Sequence, residues 1–224
     1  MTVTRHSFQL ELELLRESLL RMAGMVEAQI DDALNALRAF DQEAADEVRH
    51  NDQQINELHR QIREQVFVVI ATQQPVAGDL RTLMGVQSIA LELERIGDYA
   101  VRIARRATML AGLPRRPLRT EFGLMGEVAS QQVRDILDAL IEQNAASAAE
   151  VAAKDDEIDR LYHRVFDELI AELAALPDDA DRAQEALRCV TLIQVAHNLE
   201  RIGDRIANVA EDIVFLQSGQ VVEL

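Results

Sequence analysis

The hexapeptide LERIGD stands twice in this chain, at Leu93–Asp98 and again at Leu199–Asp204, 106 positions apart. A repeat is read before anything else, because a duplicated unit sets the plan of the whole chain. Each copy runs on into a helix-forming stretch, YAVRIARRA after the first and RIANVAEDI after the second. The middle of each half repeats too. VRHNDQQINEL at Val48–Leu58 matches VAAKDDEIDRL at Val151–Leu161, here 103 positions apart, so about three residues were gained in the turn before the second LERIGD.

Breakers mark where the helices of each unit end. The spacing of Leu15, Leu19, Met22, Val26, Ile30, Ala33 and Leu37 predicts a first helix from about Ser7 to Ala39. Phe40 and Asp41 form a turn with Asp41 as N-cap, and a second helix runs to about Gln73, ahead of Pro75. A third opens at Gly78 or Asp79 and reaches about Leu110. The second half repeats the plan, with helices over about Glu121–Gln143 and Ala145–Leu176, a turn at Pro177–Asp179, and a last helix to about Leu216. The expectation is an all-α chain of six long helices in two tandem three-helix bundles. Residues 1–112 make the first, 113–120 with its two prolines the linker, and 121–224 the second. Only nine Gly and four Pro in 224 residues, with no Trp, agree with that class.

Charge narrows the partners. The formal net charge is −16 and Lys154 is the only lysine. Such a chain repels a phosphate backbone, which argues against nucleic acid and for metal ions or basic protein surfaces. The lone Cys189 excludes an intramolecular disulfide and a Cys-based zinc finger, and reads as a buried thiol. No signal-peptide h-region stands at the N-terminus, and the longest apolar run, Val66–Ala71, is too short to span a bilayer, so the expected compartment is the cytoplasm.

At 100° per residue, Ile89, Leu93, Ile96, Ala100 and Ile103 form the core stripe of the third helix, as Val195, Leu199, Ile202, Ile206, Val209 and Ile213 do in the last. Glu94 with Asp98, and Glu200 with Asp204, fall roughly opposite, on an outer face that the intervening Gly97 and Gly203 leave bare. Placing Glu and Asp at i and i+4 costs a few tenths of a kcal/mol where Glu with Lys or Arg would gain as much. A Gly inside a helix adds about 1 kcal/mol. Arg102 offsets Asp98 in the first copy; Asn208 at the matching position cannot offset Asp204. These costs point to a cation site. Carboxylates one turn apart can share a metal, and oxygen-rich sites suit Mg²⁺, Mn²⁺ or Fe.

Further ligands must come from neighbouring helices. Asp155 and Asp159 repeat the i,i+4 spacing on the middle helix, matched by Asp52 and Asn56 in the first unit, on a flank that can turn toward the third helix. Asp32 and Asp138, related by the 106 offset, are weaker candidates. Among histidines, His197 one turn before Glu200 is the plausible ligand, although its counterpart is Leu91; His59 aligns with Tyr162, and His6 and His50 read as solvated.

The duplicated plan, the two LERIGD motifs and QPVAGDLR at Gln74–Arg81 together resemble the PhoU family of phosphate-uptake regulators, over essentially the whole chain. The resemblance implies a cytoplasmic accessory protein of the phosphate ABC transporter. It would contact the transporter's ATPase subunit and the phosphate sensor histidine kinase, and so restrain the phosphate-starvation response. It also implies surface iron or zinc clusters held by E/DxxxD motifs, carried here by Glu94 with Asp98, Glu200 with Asp204, and Asp155 with Asp159. Asp52 matches as well, but Asn56 departs from the acidic pattern. A homodimer is the expected assembly.

Enzyme chemistry is hard to place. There is no Gly-rich phosphate loop, no GxSxG and no paired Cys/His spacing. The sole Glu-x-x-His, Glu47–His50, lacks the partner that a di-iron oxidase needs. No nucleophile or general base can be named for a metal-dependent hydrolase. The main alternative is a helical scaffold whose acidic stripe binds a basic partner without metal.

Overall fold

The structure, a computed structural model, describes residues 2–220, 222 and 224, with side chains from His6 onward. Among the described residues the only regular secondary structure is helix: α1 Thr2–Ala39, α2 Gln42–Gln73, α3 Gly78–Ala111, α4 Thr120–Glu142, α5 Ala145–Ala152, α6 Asp155–Ala174 and α7 Arg182–Ser218. Among the described residues no helix is long and apolar enough to cross a membrane.

Local chemistry explains the boundaries. The Asp41 carboxylate accepts the N–H groups of Glu43 and Ala44 and starts α2, and Asn144 caps α5 in the same way through Ala146 and Ser147. The first helix begins earlier than its apolar spacing predicts. The helix expected over Ala145–Leu176 is broken after Ala152. At the break the Val151 carbonyl accepts from the Lys154 N–H (3.1 Å) and from the Gln132 amide (3.4 Å). The helix restarts with Asp155, Asp156 and Glu157 in its first turn, where a helix N-terminus favours negative charge.

Helices α1–α3 form one three-helix bundle, and α4, α5 with α6, and α7 form the other. The bundles join through α3 against α7 and α1 against α4. Both pairs run antiparallel: Gly85 lies against Leu216 and Glu92 meets Arg205, while Glu27 pairs with Arg134 and Leu34 covers Gly126. The buried residues of α3 and α7 correspond at the 106 offset, Ile89, Leu93, Ile96 and Ala100 matching Val195, Leu199, Ile202 and Ile206. Those of α1 and α4 correspond instead at 103, Met22, Val26, Ile30 and Ala33 matching Met125, Ala129, Val133 and Ile136. Buried Gln29 is therefore the counterpart of buried Gln132.

A polar cluster crosses the seam between α3 and α7. Glu92 is buried, and its two oxygens accept from Arg95 (2.6 Å) on its own helix and from Arg205 and Asn208 (3.2 Å each) on α7. The segment between α3 and α4 is pinned as well. Arg119 pairs with Glu168 and Glu172 (2.6 Å each), Arg116 pairs with Glu185 (2.9 Å), and Arg188 donates to the Pro114 carbonyl.

Candidate metal centre

The two LERIGD motifs sit at mid-height of the seam. Their Leu and Ile side chains are wholly buried, as the helical phase predicts. Their carboxylates are half-buried rather than outward-facing. The glycines account for the difference. Gly97 and Gly203 do not bare an outer surface; both are buried beneath the middle helix of their own bundle. A Cβ on Gly97 would meet Asp52 Oδ1 at 3.4 Å, an ordinary contact, and one on Gly203 would clash with Asp155 Oδ1. Each glycine thus lets a middle-helix aspartate lie over the third helix, between the motif's Glu and Asp. Phase alone put these carboxylates opposite the three-helix core, and the close approach of α2 and α6 encloses them.

Two acidic sites result. In the first, Asp52 of α2 faces Glu94 and Asp98 of α3. Burial raises the Glu94 carboxyl above the usual range, helped by Asp98 and Asp52. It raises Asp98 too, helped by Asp52 and opposed by Arg102 and Arg105. In the second, Asp155 and Asp159 of α6 face Glu200 and Asp204 of α7. Asp155 is pushed up to about 7 by burial and then by Asp159, Asp204 and Glu200. Glu200 is raised by burial and by Asp204, with His197 and Arg201 opposing. Half-buried carboxylates in mutual repulsion are what a cation would relieve.

The hydrogen bonding of the two sites differs. Asp52 Oδ1 accepts from the Gln29 amide (2.9 Å), which also donates to the Gly97 carbonyl (3.2 Å), and Asp52 Oδ2 accepts from Asn56 (2.8 Å). In the second site Asp155 Oδ1, Asp159 Oδ1 and Glu200 Oε2 are buried without a hydrogen-bond donor. Asp204 pairs with Arg201. His197 Nδ1 lies 3.3 Å from Glu200 Oε2, the imidazole itself being exposed. Orphaned carboxylate oxygens over a glycine cradle fit a hard or borderline divalent cation in chemical type. Among the described residues no three His, Cys, Asp or Glu side chains are gathered closely enough to hold a metal as they stand.

The remaining candidates fall away from both sites. Asp32 and Asp138 are exposed, and the 103 register of α1 and α4 makes Asp135, not Asp138, the counterpart of Asp32. His6 and His50 are exposed. Sequence reasoning missed Gln29, although it falls in the core phase of α1, seven residues after Met22 and four before Ala33. It missed Glu92 as well, three residues after Ile89 and four before Ile96. A cleft of about 620 Å³, lined by Leu12, Arg16, Thr82, Leu140 and Ile213, opens in the seam away from the carboxylates.

Comparison with known proteins fits this geometry. The family model described as the PhoU domain matches twice, at residues 19–107 and 122–213. The chain belongs to the PhoU family. It is 37% identical over 223 residues to the phosphate-specific transport system accessory protein PhoU homolog of Clostridium acetobutylicum, covering 99% of each chain. The Pseudomonas aeruginosa homolog is 36% identical over 222 residues, covering 97% of this chain and 89% of that one. Among solved structures, the crystal structure of PhoU from Pseudomonas aeruginosa superposes with a TM-score of 0.87 at 36% identity, over 95% of this chain and 100% of that one. The phosphate transport system regulatory protein PhoU from Streptococcus pneumoniae does so with a TM-score of 0.87 at 28% identity, over 97% and 100%. PhoU proteins are accessory and regulatory proteins, and this chain is not an enzyme.

The glycine cradles make a direct prediction. Gly97→Ala has room for its methyl group and is expected to stabilise the protein by about 0.5–1 kcal/mol through helix propensity. Gly203→Ala must push the Asp155 carboxylate aside and is expected to lose that gain. Denaturant unfolding of the two variants checks this, and equal effects would refute the cradle.

Proposed function

We propose that this protein is a cytoplasmic regulator of phosphate uptake that restrains the phosphate-starvation response. In this reading it is a metal-binding adaptor between the ATPase subunit of a phosphate ABC transporter and a phosphate sensor histidine kinase. The observation that carries the phosphate reading is the match along the whole chain to relatives named as phosphate transport accessory proteins. The orphaned carboxylate oxygens of the second site support the metal, an iron or zinc cluster by the chemistry of the family, or Mg²⁺ or Mn²⁺ by the oxygen donors alone. Glu94, Asp98, Glu200, Asp204, Asp52, Asp155 and Asp159 are the proposed ligands. Exposed apolar side chains around the α2–α3 turn, Phe67, Val68, Val76 and Met84, support docking to a partner or a second copy, the homodimer.

Two measurements test the reading. Deleting the gene is expected to switch on phosphate-starvation genes in phosphate-rich medium, and unchanged repression there would overturn the regulatory role. Elemental analysis of purified protein is expected to find metal that a Glu94/Asp98/Glu200/Asp204 quadruple alanine variant lacks. Equal metal in both would remove these residues as ligands. Asp52, with both oxygens already satisfied by amides, favours a second reading for the first site, that of a metal-independent acidic surface for a basic partner. Partner binding that survives a chelator would support it.

A further inference from the structure

The two halves treat their equivalent aspartates in opposite ways. In the first, Gln29 and Asn56 place an amide N–H on each oxygen of Asp52. In the second, the same positions carry Gln132 and Asp159. Gln132 is turned to the Val151 carbonyl at the helix break, and Asp159 brings a further carboxylate in place of an amide. An acceptor already holding two donors gains little from a cation, whereas buried carboxylate oxygens with no donor carry the full cost of lost hydration.

We infer that the two acidic sites are not equivalent. The Asp155–Asp159–Glu200–Asp204 site is the one that takes a metal ion, and at the Asp52–Glu94–Asp98 site the amides of Gln29 and Asn56 stand in for one. The inference rests on the metal-binding reading proposed above and narrows its seven candidate ligands to the four carboxylates of the second site. Four observations agree on the direction of the asymmetry. The second site has four carboxylates against three, and its buried oxygens lack donors. Its aspartate crosses the glycine more closely, since a Cβ on Gly203 would clash with Asp155 Oδ1 whereas one on Gly97 would be in ordinary contact with Asp52 Oδ1. The second site has His197 beside Glu200, where the first has Leu91 at the matching position. Asn56 is itself exposed, so the residue that separates the two donor sets is reached from solvent and can be exchanged without disturbing the core.

The test measures bound Zn²⁺. Chelator-stripped full-length protein is dialysed against Zn²⁺ at a concentration limiting for weak surface binding, then analysed for metal content, with circular dichroism to verify folding. Asp155→Asn/Asp159→Asn is expected to lower bound Zn²⁺ by about tenfold, since ligand charge sets affinity at oxygen sites. Asp52→Asn is expected to leave it unchanged. Asn56→Asp supplies the missing carboxylate and is expected to raise bound Zn²⁺ about twofold, because the first site then matches the second in charge. Equal losses from the Asp52 and the Asp155/Asp159 variants, or no gain with Asn56→Asp, would overturn the asymmetry while leaving the metal-binding reading intact. Wild-type protein that binds no Zn²⁺ would overturn both.

Discussion

Glu92→Ala is expected to destabilise the protein by about 3 kcal/mol, the lower end of what removing one partner of a buried ion pair costs. Glu92 is almost wholly enclosed (8% side-chain exposure), and Arg205, its partner across the seam, is 17% exposed. Without the carboxylate, Arg205 is left charged in the seam with its Nε already lacking an acceptor, and Asn208 loses the oxygen it donates to. Arg95→Ala is the informative control. It removes the other arginine of the cluster, but from a side chain 46% exposed, so less than about 1 kcal/mol is expected. Denaturant unfolding decides between a seam clasp and a surface pair. Similar costs for the two variants would assign Glu92 no special role.

Asp155→Asn in chelator-treated protein is expected to raise stability at pH 8 by about 1–2 kcal/mol. The Asp155 carboxyl titrates at about 7 in the folded chain against 3.8 for an ordinary aspartate. Burial and four neighbouring carboxylates, Asp159, Asp204, Glu200 and Asp156, favour its protonated form. Below pH 4 the group is protonated whether the chain is folded or not and contributes nothing. As pH rises from 4 to 7 the unfolded chain ionises it first, and stability falls; above 7 the full penalty is present. A shift of this size sets a ceiling of about 4 kcal/mol, and solvent screening at a half-buried carboxyl reduces it to the expected value. The gain therefore vanishes toward pH 4. An advantage for the asparagine that is equally large at pH 4 and pH 8 would show that repulsion at Asp155 is not its source.

Much of this architecture is legible because helices write their burial in a fixed period. Leu93, Ile96, Leu199 and Ile202 announce the core faces of α3 and α7, Asp41 announces the start of α2, and the duplicated LERIGD announces two units. Helical phase says which way a side chain leaves its own helix, not what another helix brings over it. Glu94 and Glu200 therefore read as outward until α2 and α6 are laid across Gly97 and Gly203. At the break after Ala152 Gln132 donates to Val151, a contact between residues on different helices that no local pattern contains. Gln29 and Glu92 were visible as polar residues in core phase; their partners, Asp52 and Arg205, were not, because pairing across helices follows from packing.

The antiparallel seam of α3 and α7 has a consequence for how such a molecule changes. Two separate copies of one three-helix unit, meeting about a true twofold axis, would carry every substitution twice, and Glu92 would face Arg205 at two places. Joined in a single chain with a pinned linker, each half is free to vary alone. Position 198, the counterpart of Glu92, is Asn, and position 99, the counterpart of Arg205, is Tyr, so one clasp holds where symmetry would demand two. Within a single chain the two halves are unlike, and a partner that meets the protein can tell them apart.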